Sequence, residues 1–252
     1  MKINNLAQNY FEEEFRIGSF EIDLHGNAKL SALCNFLQEI AGNHASSMES
    51  GMQNLFDQNL AWVLSRLQLK IYNSPRWNDK IRIRTWPVGI EGVFAIRDFQ
   101  IFNTDNAIIA EASSAWLVIN LLNRRPVRPH SIVEKMNYQG NHRIFSESIK
   151  KIPPVNVLDP VDQLTVRFSD LDLNQHVNNV KYIKWLADSC PPEVLMHQRI
   201  SEVEINFLHE SKLGEELAIF RHALSTSSFH CCVKNNDKKT DNCRAIIKWA
   251  EK

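Results

Sequence analysis

Glycine is scarce, with eight among 252 residues, and no G-x-G-x-x-G, P-loop or G-x-S-x-G spacing occurs. Nucleotide-phosphate cradles and the strained serine elbow of one hydrolase class are thereby excluded. Net charge is zero, 29 Lys and Arg against 29 Asp and Glu, so no overall field draws the chain to nucleic acid. No apolar run approaches the roughly 20 residues that a membrane-spanning helix needs. The five cysteines are odd in number and never fall in C-x-x-C. Cys34 lies on the apolar face of a predicted helix and reads as core. Adjacent Cys231 and Cys232 in a strand face opposite ways, which suits neither a disulfide nor one metal. His222 and His230 lie nearby, but scattered strand residues make no ligand set, and neither a metal nor an organic cofactor is expected. The N-terminus lacks an apolar signal core, and Glu12-Glu13-Glu14 argues against a transit peptide, so a cytoplasmic location is expected.

What remains is an ordinary soluble composition, 44% apolar and 23% charged, with length enough for one large or two small domains. Chemistry concentrates in Ser169-Asp170-Leu171-Asp172-Leu173-Asn174-Gln175-His176-Val177-Asn178-Asn179. Here acids, amides and an imidazole precede an apolar-periodic run, with Val177, Val180, Ile183 and Ala187 at helical spacing and Pro191-Pro192 closing it. Asn174 or a neighbour would cap this helix and leave backbone N–H groups to receive a polarised oxygen. An acid, an amide and a histidine at such a place suit hydrolysis of a carbonyl compound. A capped helix with solvated polar residues would have the same pattern.

The chain also looks duplicated. Glu21 to Leu30 sets against Phe168 to Val177: Asp-Leu recurs, Asn follows three residues on, and an apolar helix pattern comes next. Leu67-Gln68-Leu69-Lys70-Ile71 matches Val203-Glu204-Ile205-Asn206-Phe207, and Asn78-Asp79-Lys80-Ile81 matches Gly214-Glu215-Glu216-Leu217. Thr104-Asp105-Asn106 and Thr240-Asp241-Asn242 read as hairpin tips in the two copies. In this register Asp172, Asn174, His176 and Glu210 face His25, Asn27, Lys29 and Ser74. The second half therefore reads as chemical, and the first as structural or substrate-shaping, having lost both acids. The first half also needs extra residues before its next strand, and polar Ser46 to Asn59 is the natural place for them.

Asp172-Leu173-Asn174-Gln175-His176-Val177-Asn178-Asn179-Val180-Lys181-Tyr182-Ile183 resembles the most distinctive stretch of the acyl-acyl-carrier-protein thioesterases of plant plastids and bacteria. Leu37-Gln38-Glu39 with Asn43-His44, Trp62 to Gln68, Trp77-x-Asp79, Thr85-Trp86, Arg97-Asp98, Ala112-Ser113-Ser114-x-Trp116 and Arg124-Arg125 continue the resemblance in order, over roughly residues 10 to 250. It implies an α+β double hot-dog fold, two tandem domains in which an antiparallel sheet wraps one long helix, with the two sheets joined as a pseudo-dimer. The patterning agrees. Helices are predicted at Lys29–Met48 and His176–Ser189. First-half strands are predicted near Phe15–Leu24, Ala61–Tyr72, Lys80–Pro87, Val93–Phe102 and Ile108–Ile119. Second-half strands are predicted near Leu164–Phe168, Ile200–Leu208, Glu216–Ala223, Ser228–Lys234 and Cys243–Trp249. Domains are expected at 1–130 and 162–252, with a Pro- and Asn-containing, basic linker over 131–161. Plant members carry a plastid leader and this chain starts almost at the fold, which points to a bacterial source.

The resemblance implies hydrolysis of fatty acyl-carrier-protein thioesters to free fatty acid, with Asp172, Asn174, His176 and Glu210 as catalytic residues. Asp172 and Glu210 are the candidate carboxylates, one a base toward water and the other an orienting group. Asn174 suits the carbonyl oxygen, and His176 proton transfer or orientation of the carboxylates. Some plant members have a cysteine just after the acid; here Ser211, without a dedicated base, favours direct attack by water. The acyl chain is expected in the first half, against Leu33, Leu37, Ile40, Ala41, Trp62 and Leu64, each also suited to the core. The acidic carrier protein would dock on basic residues: Arg124, Arg125 and Arg128, Lys150-Lys151, and Lys181 with Lys184. Two alternatives share the pattern. One is a coenzyme A thioesterase of the same fold, which would want a nucleotide groove. The other is a non-catalytic acyl-binding module, against which the four retained site residues argue. A double hot-dog already satisfies the fold's pairing need, leaving monomer and homodimer open.

Overall fold

A computed structural model describes residues 10–133, 142–157 and 159–252. The chain divides into two compact units, Met1–Ile149 and Lys150–Lys252. The first contains β1 (Phe11–Arg16), α1 (Leu30–Ser47), α2 (Met52–Phe56), β2 (Leu60–Ile71), β3 (Lys80–Glu91), β4 (Phe94–Phe102), β5 (Ile108–Asn120), β6 (Pro126–Val127) and α3 (His130–Val133). Its long strands lie antiparallel in the order β1-β3-β4-β5-β2, and β6 pairs with β5.

Leu30, Leu33, Leu37, Ile40 and Ala41 recur at helical spacing in α1 and are buried, which drives this amphipathic helix onto the sheet. Phe15 and Phe36 meet at 4.9 Å between β1 and α1. Within this apolar layer the Arg97 Nη1 lies 2.9 Å from His44 Nδ1, and Phe11 stacks on the imidazole. Burial and the neighbouring Arg97 cation push the His44 pKa down to about 3, so its ring is neutral and accepts from the guanidinium. Short α2 occupies the expected extra segment and seats Leu55 against Ala45 and Val118.

The second unit contains β7 (Asp162–Thr165), α4 (Asn179–Asp188), α5 (Pro192–His197), β8 (Gln198–Phe207), β9 (Glu216–Ser225), β10 (Ser228–Asn235) and β11 (Asp241–Glu251). Its antiparallel order is β8-β11-β10-β9-β7. Ile183 and Leu186 of α4 are fully buried, each burial contributing about 1.5–3 kcal/mol. Pro192, at the first position of α5, separates that helix from α4.

Several boundaries differ from the sequence reading. The strand predicted over Phe15–Leu24 is β1 at Phe11–Arg16, because Ser19–Glu21 turns into a 3-10 helix whose Glu21 carboxylate accepts from Gly18 N at 2.6 Å. Phe168, predicted to end a strand, lies in the matching turn Phe168–Asp170 and is exposed. Helix α4 starts later than His176 because Asn178, not Asn174, caps it, its Oδ1 accepting from Val180 N at 2.9 Å. Thr104-Asp105-Asn106 does form the β4–β5 tip, whereas Asp241 and Asn242 already belong to β11.

The described part of the linker runs along the sheets with its backbone held at both ends. In the first unit Asp98 Oδ2 accepts from Ile144 N at 2.7 Å, Trp86 Nε1 donates to His142 O, and Arg66 Nη1 donates to Ile149 O. In the second, Asn206 Oδ1 accepts from Ile152 N at 2.7 Å and Arg244 Nη1 donates to Ile152 O at 2.9 Å. Residues 134–141, also within the expected linker, lie outside the described residues.

Candidate active site

The second-unit loop is an Asx turn. Asp172 Oδ1 accepts from Asn174 N at 2.8 Å and, at 3.5 Å, from His176 N. Asp172 N donates to His176 O at 2.8 Å, and Gln175, at φ 62°, donates its N–H back to Asp172 O. This closed turn pushes Leu173 and Asn174 into solvent and leaves His176 partly enclosed. Its Nε2 lies 3.3 Å from Glu210 Oε2. The structure thus brings His176 and Glu210 together and sets Asp172 beneath the loop that carries Asn174.

The first unit builds the same loop. Asp23 Oδ1 accepts from His25 N at 2.8 Å and Asn27 N at 3.0 Å; Asp23 N donates to Asn27 O, and Gly26 N to Asp23 O. Ala28 N donates to Pro75 O where Val177 N donates to Ser211 O, and Lys29 N to Glu21 O where Asn178 N donates to Asp170 O. Bridges Ile22↔Ala28 and Leu171↔Val177 close the two loops alike. These bonds correct the register read from sequence. Asp23 stands at the place of Asp172, His25 at that of Asn174 and Asn27 at that of His176. The first half has therefore kept this acid. Ser74 does stand at the place of Glu210, one residue before the Pro75 carbonyl. A scaffold made twice carries His176, Asn174 and Glu210 only once.

The helix start is not open in the way expected. The amides of Val177, Asn178, Val180 and Lys181 donate to Ser211 O, Asp170 O, Asn178 Oδ1 and Asn178 O. Four donors are spent on holding the loop and the first turn. Side-chain amides therefore gain weight as donors to a developing oxyanion, and Asn174 is exposed on the loop that carries His176.

The other expected residues fall as follows. Leu33, Leu37, Ile40, Ala41 and Leu64 are buried, while Trp62 is partly buried and donates Nε1–H to Ser50 O at 3.0 Å. A cavity of about 400 Å³ in this unit is lined instead by Asn73 to Pro75, Asn78 to Ile81, Asn103, Thr104 and Ile109. Arg124, Arg125 and Arg128 are exposed around the turn after β5. Lys184 is exposed on α4, and Lys181 is engaged with Asp170 at 3.1 Å. Three polar residues make contacts that the sequence did not reveal. Asp170 holds Lys181, while Tyr182 and Asn242 surround Ser211. An asparagine inside a strand, as Asn242 is in β11, is the signal that would have flagged the last.

Helix-on-sheet units of this kind are those of the hot-dog fold, and solved structures carry the same architecture along nearly the whole chain. An acyl-ACP thioesterase from Bacteroides thetaiotaomicron is 31% identical with a TM-score of 0.87, covering 96% of this chain and 98% of its own. The 12:0-ACP thioesterase from Umbellularia californica is 25% identical with a TM-score of 0.87, covering 98% and 100%. The chain belongs to the acyl-ACP thioesterase family: residues 8–136 match the family's N-terminal domain and residues 158–251 its C-terminal domain. A chloroplastic palmitoyl-acyl carrier protein thioesterase from Cuphea hookeriana is 31% identical over 216 residues, 79% of this chain and 51% of the relative. The chain thus spans about half the length of such plant relatives. No helix among the described residues is long and apolar enough to cross a membrane.

Proposed function

We propose that the chain hydrolyses fatty acyl-carrier-protein thioesters to free fatty acid. The observation that carries this reading is the 3.3 Å contact between His176 Nε2 and Glu210 Oε2, at places where the first unit has Asn27 and Ser74. Glu210 takes a proton from water as the oxygen attacks the thioester carbonyl. Asn174 Nδ2 donates to the carbonyl oxygen as it gains charge. Collapse of the tetrahedral intermediate breaks the C–S bond, and the proton passes through His176 to the departing thiolate. Asp172 holds the loop in which Asn174 and His176 stand.

Acyl-chain selection falls to the apolar interior of the first unit, around Leu33, Leu37, Ile40, Ala41, Trp62 and Leu64. The acidic carrier would be recognised by exposed cations, Arg124, Arg125 and Arg128 in the first unit and Lys184 in the second. The relatives named for palmitoyl- and 12:0-carrier substrates support a carrier-bound acyl group as the substrate class.

Steady-state hydrolysis of matched acyl chains on carrier protein and on coenzyme A tests this reading, with His176→Ala and Glu210→Gln as controls. Turnover of the carrier form, falling at least a hundredfold in both variants, is expected. Preference for coenzyme A would move the partner and keep the chemistry. Undiminished turnover in both variants would reject the site.

A further inference from the structure

Behind Glu210 lies a buried polar cluster drawn from three elements. Tyr182 on α4 donates its hydroxyl to Ser211 Oγ at 2.8 Å. Asn242 on β11 donates Nδ2–H to the same oxygen at 2.8 Å, and points Nδ2 at His209 O and Glu210 O at 3.2 and 3.3 Å. One side-chain amide thus addresses three consecutive residues centred on Glu210. All three side chains are buried, Ser211 at 0% and Asn242 at 1% exposure. Burial raises the Tyr182 pKa, so its hydroxyl stays protonated and remains a donor.

The first unit shows what the fold alone requires at these places. Counting from the matching helix starts, Leu30 and Asn179, Leu33 stands where Tyr182 does. Pro75 stands where Ser211 does, each giving its carbonyl to the amide before the helix cap. Ile109 stands where Asn242 does: its carbonyl accepts from Tyr72 N and Asn73 N as that of Asn242 accepts from Leu208 N and His209 N. Leu33, Pro75 and Ile109 are all buried. The same position in the same fold is therefore filled by an apolar trio in one unit and a polar one in the other. A buried polar network carries a desolvation cost that an apolar trio avoids. Among the differences between the units next to this cluster, the one that introduces a charge is Glu210, where the first unit has Ser74.

We infer that Tyr182, Ser211 and Asn242 are positioning residues that fix the Glu210 main chain and so aim its carboxylate at His176. The inference rests on the reading of Glu210 as the group that activates water. Ser211 Oγ is enclosed between a phenol and an amide and acts as an anchor rather than a nucleophile. Orientation errors of about 1 Å at a reacting group cost about a hundredfold in rate, which makes such an anchor worth its burial.

A double-mutant cycle tests this on the whole protein with a matched acyl-carrier-protein substrate. Tyr182→Phe removes one hydroxyl and keeps the ring packed on Trp185 and Phe207. We expect kcat to fall about tenfold with KM within about twofold. In a Glu210→Gln background, the same change should alter the residual kcat by less than twofold, because its target is already gone. An unchanged kcat in Tyr182→Phe overturns the inference, as does an equal fold-loss in both backgrounds. The triple exchange Tyr182→Leu, Ser211→Pro, Asn242→Ile installs the first unit's trio and serves should the single variant misfold. Wild-type kcat in that folded protein would also overturn it. Full activity of Glu210→Gln alone instead overturns the assignment of Glu210, on a different variant.

Discussion

Replacing Asp23 and Asp172 in parallel separates scaffold from chemistry, because each aspartate makes the same loop and only the second loop carries His176 and stands against Glu210. Asp23→Ala removes two N–H···O bonds, at 2.8 and 3.0 Å. Asp172→Ala removes one at 2.8 Å and a long one at 3.5 Å. Bonds to a carboxylate contribute about 1.5–3 kcal/mol when enclosed, and about 1 kcal/mol is reasonable for partly exposed loops. Asp23→Ala should therefore cost about 2 kcal/mol and Asp172→Ala about 1–2 kcal/mol. For a chain of this length that is a fall in Tm of roughly 3–8 °C by circular dichroism. The two variants then diverge in turnover. Asp23→Ala should keep kcat within about threefold of wild type, and Asp172→Ala should lose at least a hundredfold. Asp172→Asn, which retains the Oδ1 acceptor, should recover most of the lost stability. Equal inactivity of Asp23→Ala and Asp172→Ala, or melting of Asp172→Asn together with the alanine variant, would refute this division between scaffold and chemistry.

Three further outcomes follow from the same geometry. His44 is neutral when folded, its pKa held at about 3 against about 6.5 when unfolded; the stability linked to it is whole above pH 6.5 and drains as pH falls toward 3, by up to about 1.4 kcal/mol per pH unit. His44→Gln should flatten urea midpoints measured from pH 7 to pH 4 relative to wild type, and parallel curves would contradict the assignment. Gln175→Gly relieves a non-glycine residue at φ 62°, where the first unit has Gly26 at φ 79°, and should gain up to about 1 kcal/mol in a thermal melt. A loss would mean that the Gln175 side chain is itself held. Leu186→Ala, at a fully buried site of α4, should cost about 3 kcal/mol in denaturant unfolding, and a cost below 1 would show that the helix seat is loosely packed.

The sequence carried the helices and the longer strands because their burial is one-sided and periodic, as in α1 and in β2. It misplaced the internal register for a local reason. Asp170-Leu171-Asp172-Leu173 repeats itself at a spacing of two, so Asp23-Leu24 matches either pair, and Asn27 then settles on Asn174 as readily as on His176. Only the hydrogen bonds of the loops break that tie. Leu24 and Leu173, the leucines of the true match, are both exposed, at 71% and 86%, so hydrophobic patterning had no hold on them. His176 and Glu210 were legible as residue types, while their approach depends on β8 delivering Glu210 to the loop before α4. Tyr182 stands in the sequence reading only within the family motif, and Asn242 only as part of a turn, because their polar ends are used only in three dimensions.

The pinned backbone on either side of Ile149 sets the terms on which this protein could be taken apart. Each sheet holds its own length of that backbone, residues 142–149 by Asp98, Trp86 and Arg66, and residues 150–152 by Asn206 and Arg244. A nick between Ile149 and Lys150 would leave both fragments with their outer coats on. One at the edge of the expected linker, near residue 131 or 161, would strip a coat from one fragment and leave it dangling from the other, exposing Ile96 and Ala115 or Asn206 and Arg244 to water. Split-protein reconstitution, fusion of a foreign half, or labelling of a single half should therefore be cut in the middle of the connection rather than at its ends.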